Sequence, residues 1–191
     1  AEPFGPEVRK AYPHEAKYTL YKKLGFDGVQ FHDDDVVPGL DDVNASQIGS
    51  KAAAVAAILK NEGLSAEFVA PRLWFASQTI DGGYTSNNES DRQYAWERTT
   101  KTIDIARAIE CKAIVLWLAR EGSYIRESKN AKVAYDRILE TINRMLDYDK
   151  EIEIWIEPKP NEPPDQAYVP TIGHAVALSY ASSDPTRVKG L

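Results

Sequence analysis

The feature that most constrains the fold is a regular alternation of short apolar runs with longer amphipathic segments. The predicted strands are residues 28–32, 66–70, 113–118 and 151–157, and the predicted helices are residues 13–24, 46–62, 90–109, 131–148 and 171–182. Strands that alternate with helices favour a parallel sheet with right-handed crossovers. The chain is therefore predicted to be an α/β protein in which one helix precedes four strand–helix units.

Two architectures produce this alternation, an open doubly wound sheet and a closed (β/α)8 barrel. No glycine-rich phosphate-binding sequence follows the first predicted strand, which weakens the case for a nucleotide-binding sheet. Polar residues instead follow the strand carboxyl ends, where barrel enzymes place their chemistry. A whole barrel takes roughly 250 residues, so four units in 191 residues predict about half of one. We expect a single partial-barrel domain over residues 1–191.

Composition and charge limit which binding partners and which cellular compartment we expect for this chain. The 23 basic and 29 acidic residues give a net charge of −6, which argues against a nucleic-acid surface. No apolar run approaches the roughly 18 residues of a membrane span, and no signal-peptide pattern opens the chain. The single cysteine, Cys111, cannot form an intrachain disulfide. We expect a cytoplasmic protein with neither a membrane nor a nucleic-acid partner.

His32 follows the first predicted strand and is followed by three aspartates, Asp33, Asp34 and Asp35. An aspartate three residues after a histidine can hold the imidazole tautomer and raise its basicity, as general acid–base chemistry requires. A turn with capping aspartates beside a packed histidine is an equally weighted alternative. Because three consecutive carboxylates repel one another, we expect a nearby cation or a structured polar site in this acidic loop.

A second polar motif, Glu157-Pro158-Lys159-Pro160, follows the fourth predicted strand. The prolines restrict the backbone around the two charged residues. A carboxylate at a strand end can bind a hard metal ion, and a lysine two residues later can polarise a carbonyl group. The alternative is a proline-rich connection with a structural ion pair, but such stiffness around two opposite charges favours a functional site.

Aromatic residues at or near the predicted strand ends could pack against the apolar face of a sugar. They are Trp74, Phe75 and Trp117, for which ordinary core or rim packing is at least as well supported by the spacing. Trp155 alternates with Ile154, so in a barrel it is predicted to point inward beside Glu157 as a packing residue.

At these motifs the sequence resembles the xylose isomerase family, metal-dependent aldose–ketose isomerases with a TIM barrel, and in particular its shorter, actinobacterial-type branch. The resemblance is carried, in the family's order, by residues 31–35, 81–87, 116–117 with 120–122, 156–163 and 170–175. It implies that this chain holds the second to fifth barrel strands. It also implies isomerisation of D-xylose to D-xylulose, and of glucose to fructose, by a metal-assisted hydride shift between C2 and C1.

The resemblance further implies roles for individual residues. His32 would assist opening of the sugar ring, and Asp35 would orient it. Lys159 would bind the reactive end of the substrate, and Glu157 would be a metal ligand. Three aromatic residues would line the sugar pocket: Trp117, Trp74, which stands where the family usually has phenylalanine, and Phe4, which would reach into a neighbouring subunit's site.

The expected cofactor is a divalent ion, Mg²⁺, Mn²⁺ or Co²⁺, with no organic cofactor. The family's other metal ligands lie on later strands, and one carboxylate holds such an ion weakly or not at all. A half barrel also exposes two strand edges and its apolar inner face. We therefore expect a homodimer of half barrels, four strands closing on four, with an aldose such as D-xylose or D-glucose as the substrate.

Two other functions remain as alternatives. The chain could be a catalytically silent half barrel that persists as an oligomeric module. It could also be an endonuclease or an epimerase of the same barrel superfamily, which the Glu157-Pro158-Lys159-Pro160 motif and the net negative charge disfavour. Because the chain begins at Ala1 and its only methionine is Met145, we expect it to be a piece of a longer protein.

Overall fold

The computed structural model describes residues 10, 12–161 and 166–191 of the chain. A five-stranded parallel sheet consists of β1 (Gly28–His32), β2 (Ser65–Ala70), β3 (Ala113–Trp117), β5 (Glu153–Glu157) and β7 (Val188–Gly190). A separate antiparallel pair consists of β4 (Gly122–Ser123) and β6 (Gln166–Ala167). The helices are α1 (His14–Lys23), α2 (Asp33–Val36), α3 (Ile48–Glu62), α4 (Glu89–Ala108), α5 (Ala131–Tyr148) and α6 (Ile172–Ala181). Every predicted strand and helix is present.

The strands lie in the sheet in the order in which they occur along the chain, β1-β2-β3-β5-β7, and every neighbouring pair is parallel. A doubly wound sheet reverses its strand order at one point, whereas a barrel adds each strand on the same side of the one before it. The observed strand order therefore identifies the sheet as part of a barrel, which is the architecture that the sequence predicted.

The number of strands differs from the prediction of four. Val188–Gly190 pairs with β5, with Val188 beside Ile154, and forms a fifth strand at one edge of the sheet. Within the described residues, β1 and β7 each have one neighbouring strand, so each leaves an open edge. The same residues contain no helix with the length and apolar character of a membrane span.

Local chemistry explains where the longer helices begin and end. The side chain of Asn88 accepts a hydrogen bond from the Ser90 backbone N–H at the start of α4, and that of Asn130 accepts one from Val133 at the start of α5. Gly63 ends α3 with φ +64°, a backbone conformation that favours glycine.

One side of each strand packs under the helices. In β5 the isoleucines at 154 and 156 are fully buried, whereas Glu153, Trp155 and Glu157 are half-buried on the opposite face. Trp155 thus shares the inner face with Glu157, as expected, and its ring centroid lies 6.3 Å from that of Phe68 on β2. This alternation separates a helix-covered core from an open inner face that carries polar groups.

Helix α1 packs differently from its sequence pattern. Ala16, Leu20 and Leu24 lie four residues apart and share one face of the helix, but Leu20 is 43% exposed and Leu24 is 65% exposed. Tyr18 is buried instead, with its ring centroid 6.0 Å from that of Phe31 on β1. The buried contact of α1 with the sheet is therefore made by Tyr18 rather than by the leucines.

Candidate functional site

Residues at or shortly after the ends of four strands meet at the carboxyl edge of the sheet. The ring centroids of His32 and Trp74 are 5.0 Å apart, and those of Trp74 and Trp117 are 4.4 Å apart. The ammonium nitrogen of Lys159 lies 4.7 Å above the centre of the Trp117 ring. We call these four residues the strand-end row. The sequence assigned all four to the site, and the fold brings them into one continuous line.

His32 and Asp35 form the polar end of this row. The Asp35 carboxylate accepts a hydrogen bond of 2.9 Å from the His32 backbone N–H, and its Oδ2 lies 3.4 Å from the imidazole Nδ1. Both side chains are about half exposed. Burial acts to raise the pKa of Asp35, but the hydrogen bonds from His32 outweigh it and hold that pKa below its ordinary value. The pair is therefore a carboxylate-oriented histidine that solvent or a ligand can reach.

The acidic segment after His32 is not the loop that the sequence predicted. Asp33, Asp34 and Asp35 form the first turn of α2, where three carboxylates suit the positive end of the helix. The expected cation is Arg98 on α4, whose guanidinium forms two hydrogen bonds of 2.8 Å with the fully buried carboxylate of Asp33. The nearby cation that the sequence predicted is therefore present, and it is a side chain of the protein itself.

Arg98 was not singled out from the sequence, although a signal for it exists. Ala95, Arg98, Thr102 and Ala106 follow one another at spacings of three and four residues, which places them on one stripe of α4. All four are buried. A charged residue on a buried helical stripe, in a chain with three consecutive aspartates, points to a buried ion pair.

Glu157 ends β5 beside Trp117 in the register of the sheet. Among the described residues, no group of three or more histidine, cysteine, aspartate or glutamate side chains is arranged to hold a metal ion. Mg²⁺ requires an octahedron of oxygen ligands, and one carboxylate supplies at most two of them. The described residues alone therefore supply one candidate ligand, Glu157, and do not complete a site for a tightly held divalent ion.

Glu121 is a second buried carboxylate near the site, and it organises the loop that follows β2. Its oxygens accept hydrogen bonds of 2.9 to 3.0 Å from the backbone N–H groups of Gly83, Tyr84 and Thr85, and one of 2.6 Å from the Thr85 hydroxyl. Gly82 has φ +91°, and a Cβ there would lie 2.5 Å from Thr85 Oγ1. The glycines and small polar residues at 81–87 are thus explained by a tight loop whose N–H and hydroxyl groups surround the Glu121 carboxylate.

Of the other aromatic residues that the sequence singled out, Phe75 does not join the row. Phe75 is 58% exposed and lies under the guanidinium of Arg72, 4.7 Å from the ring centre, rather than beside Trp74. Phe4 lies outside the described residues, so its assignment to a neighbouring site stays a prediction.

A family model described as the xylose isomerase-like TIM barrel matches residues 18–188. The chain belongs to this family. Among solved structures, it is similar to D-psicose 3-epimerase from Clostridium cellulolyticum H10, with a TM-score of 0.66 and 16% identity over 94% of this chain and 57% of that one. It is also similar to 3-keto-D-glucoside 4-epimerase from E. coli, with a TM-score of 0.65 and 13% identity over 100% of this chain and 64% of that one.

A third similar structure is an AP endonuclease of family 2 from Brucella melitensis, with a TM-score of 0.64 and 20% identity over 94% of this chain and 62% of that one. At these identities the likeness shows the fold. The chain spans less than two thirds of the length of each of these proteins. It is a partial barrel of the xylose isomerase-like family, whose structural neighbours include sugar epimerases.

Proposed function

We propose that the strand-end row is a sugar-binding mouth that serves aldose–ketose isomerisation, with D-xylose converted to D-xylulose and glucose to fructose. The observation that carries the proposal is the row itself, in which an aspartate-paired histidine lies in line with two indoles and a lysine. Indole faces suit the apolar side of a sugar, and the charged groups suit its oxygens. The five sequence stretches that resemble the xylose isomerase family support the choice of reaction.

His32 is the proton-transfer group of this proposal. In ring opening, the anomeric hydroxyl loses a proton, the bond between the anomeric carbon and the ring oxygen breaks, and the ring oxygen gains a proton. A histidine that accepts the first proton and donates the second serves both ends of this step. Asp35 lies on the Nδ1 side of the ring, which leaves Nε2 for the sugar. Asp35 is therefore a positioning residue for His32.

Lys159 and the indoles hold the open-chain sugar in this proposal. A lysine ammonium donates to a carbonyl oxygen and stabilises the negative charge that develops there. Lys159 lies against the Trp117 ring, so an ammonium and an apolar wall are presented side by side. We assign Glu157 to a divalent ion, Mg²⁺, Mn²⁺ or Co²⁺, whose other ligands come from outside the described residues. Such an ion, when bound, polarises substrate oxygens as a Lewis acid.

The test is turnover of D-xylose to D-xylulose by the purified protein with each of the three ions, and with EDTA as the chelator control. The variant is His32→Gln, and the matched control is His174→Gln, because His174 is an exposed histidine on α6 that hydrogen-bonds Thr171, the residue before the helix. We expect chelator-sensitive turnover that His32→Gln abolishes and His174→Gln retains. Equal turnover in the two variants would contradict the role of His32.

The second candidate is a catalytically silent module that associates through its open edges. The described residues leave β1 and β7 unpaired on one side. Beside β7, α6 exposes a stripe of apolar residues four apart, Ile172, Val176 and Tyr180, at 53%, 42% and 80% exposure. Exposed strand edges and apolar faces favour association. In this candidate a second copy covers them about a twofold axis, with five strands from each chain rather than four.

Sedimentation equilibrium at micromolar concentration tests the association. We expect a dimer, weakened by Val176→Asp in the exposed stripe and unaffected by Lys132→Asp, a charge change on the exposed face of α5. A monodisperse monomer would rule out the dimer. Absence of turnover with every ion, together with a stable dimer, would favour the silent module over the isomerase.

A further inference from the structure

The Arg98 guanidinium satisfies its whole hydrogen-bonding capacity with carboxylates of the segment that follows β1 and with one tyrosine of its own helix, α4. An arginine side chain has five N–H donors. In Arg98 they reach both oxygens of Asp33 at 2.8 Å, Asp34 at 2.8 Å, Asp41 at 2.9 Å and the Tyr94 hydroxyl at 3.4 Å. The side chain of Arg98 is 6% exposed and that of Asp33 is 0% exposed. The ion pair is therefore buried and fully bonded.

Asp33 connects the end of β1 to the end of β2. It directly follows His32, and its Oδ1 accepts the Asp34 backbone N–H at 2.7 Å. Its Oδ2 accepts the Arg72 backbone N–H at 3.2 Å, and Arg72 lies two residues before Trp74. One carboxylate, directly after His32, thus bonds to the first turn of α2 and to the segment after β2 that carries Trp74, and Arg98 fixes that carboxylate from α4.

Stability alone is a weak reason to bury such a pair. Taking two charges out of water costs several kcal/mol per ion, and apolar residues of similar volume are often equally stabilising. Unlike apolar packing, the pair makes a directional connection between the end of β1 and the segment that follows β2. The ring of His32 at the end of β1 and the ring of Trp74 in that segment lie 5.0 Å apart with an interplanar angle of 71°.

We propose that Arg98 and Asp33 are positioning residues that set the placement of His32 against Trp74. This inference rests on the proposed function for its catalytic consequence, but its structural content stands apart from activity. Because a displacement of about 1 Å at a reacting group can lower a rate by up to 100-fold, loss of the connection lowers kcat by a larger factor than it raises KM for the sugar.

The primary test is the NMR spectrum of the histidine ring protons, which requires neither metal nor sugar. The chain has 3 histidines, so His32→Gln identifies the His32 resonances by their loss. The ring current of Trp74 shifts the His32 resonances. The Trp74→Ala variant gives the chemical shifts of His32 in the absence of that ring current. Arg98→Lys keeps the charge but has three donors in place of five and no planar fork.

The matched control is Arg187→Lys. Arg187 binds Asp184 and the backbone carbonyls of Leu146, Asp149 and Ile152 before β7, at the amino end of the sheet. We expect Arg98→Lys to move the His32 resonances toward their positions in Trp74→Ala, and Arg187→Lys to leave them in place even where its thermal stability falls equally.

A milder variant covers the case in which Arg98→Lys does not fold. Asp41→Asn changes the outer side of the guanidinium, where Asp41, a side chain that is 55% exposed, bonds Arg98 and the Tyr94 hydroxyl, and it leaves Asp33 in place; we expect a smaller shift in the same direction. His32 resonances that coincide with those of the unmodified protein in every folded variant of Arg98 and Asp41 would overturn the inference. Unaltered kcat in a variant whose His32 resonances have moved would instead contradict the catalytic role of His32, and so the proposed function.

Discussion

The indole of Trp74 lies edge-on against the indole of Trp117, with ring centroids 4.4 Å apart and an interplanar angle of 75°. An edge-to-face aromatic pair contributes about 0.5–1.5 kcal/mol beyond the area it buries. Because Trp74 also contacts the His32 ring, one residue links the His32–Asp35 pair to Trp117. In the proposed function, the size of Trp74 limits the space for the sugar.

Trp74→Phe is expected to enlarge the mouth while retaining an aromatic contact with Trp117. Glucose carries one more carbon than xylose, so we expect the ratio of glucose to xylose affinity to rise by about 10-fold, the low end of the range of about 10 to 200-fold that a methylene-sized difference can produce. Titration of both sugars against the protein measures the ratio. Trp96→Phe is the control, because Trp96 lies under Arg144, with the guanidinium 3.9 Å from its ring centre. An unaltered ratio in Trp74→Phe would show that this ring does not select the sugar.

Asp35 is expected to make stability fall at acidic pH. Its pKa is lowered in the folded protein by His32, so its contribution is present above the unfolded pKa near 3.8 and is lost as the pH falls through the lower folded value. Because the side chain is 53% exposed, the contribution is below about 1 kcal/mol. Urea unfolding from neutral pH downward should show Asp35→Asn less stable at neutral pH, with the difference vanishing in acid. A constant difference at every pH would contradict this assignment.

Glu121→Gln is expected to destabilise the protein through the loop at residues 82–85. The amide keeps one acceptor oxygen but turns an N–H₂ group toward backbone donors that Glu121 now binds. Hydrogen bonds to a charged group each contribute about 1.5–3 kcal/mol, so we expect a loss of roughly 2 kcal/mol or more in the free energy of unfolding. Denaturant titration measures it, with Glu127→Gln on an exposed turn as the control. Equal stability of the two variants would show that the carboxylate is replaceable.

Glu157→Gln is expected to lower the affinity for Mn²⁺ without loss of the fold. Glu153→Gln is a matched control on the same face of β5, because Glu153 is already bonded to Lys189 at 2.7 Å and to the Trp155 indole N–H at 3.0 Å. Mn²⁺ titration by calorimetry or by water-proton relaxation separates the two variants, and circular dichroism checks the fold. If both variants bound Mn²⁺ as the unmodified protein does, Glu157 would not be a ligand.

Local patterns in the sequence determined most of the secondary structure and the positions of the chemical groups. Apolar patterns with a period of two residues located the strands, and patterns with a period of 3.6 residues located the helices. This works because side-chain periodicity depends on each element alone. His32, Trp117 and Glu157 could be assigned to one edge because parallel strands end on the same side of a sheet. The fold thus confirmed the expected barrel type, whereas the chemical roles of these residues stay predictions.

Tertiary structure alone decided which distant groups pair. Arg98 and Asp33 are 65 residues apart, and their bond depends on which face of α4 lies over the end of β1. The burial of Tyr18 in place of Leu20, and the pairing of the short strand β7 with β5, likewise depend on neighbours far along the chain. Periodicity identifies which side of an element is buried, but the partner it meets is set by packing of the whole sheet against its helices.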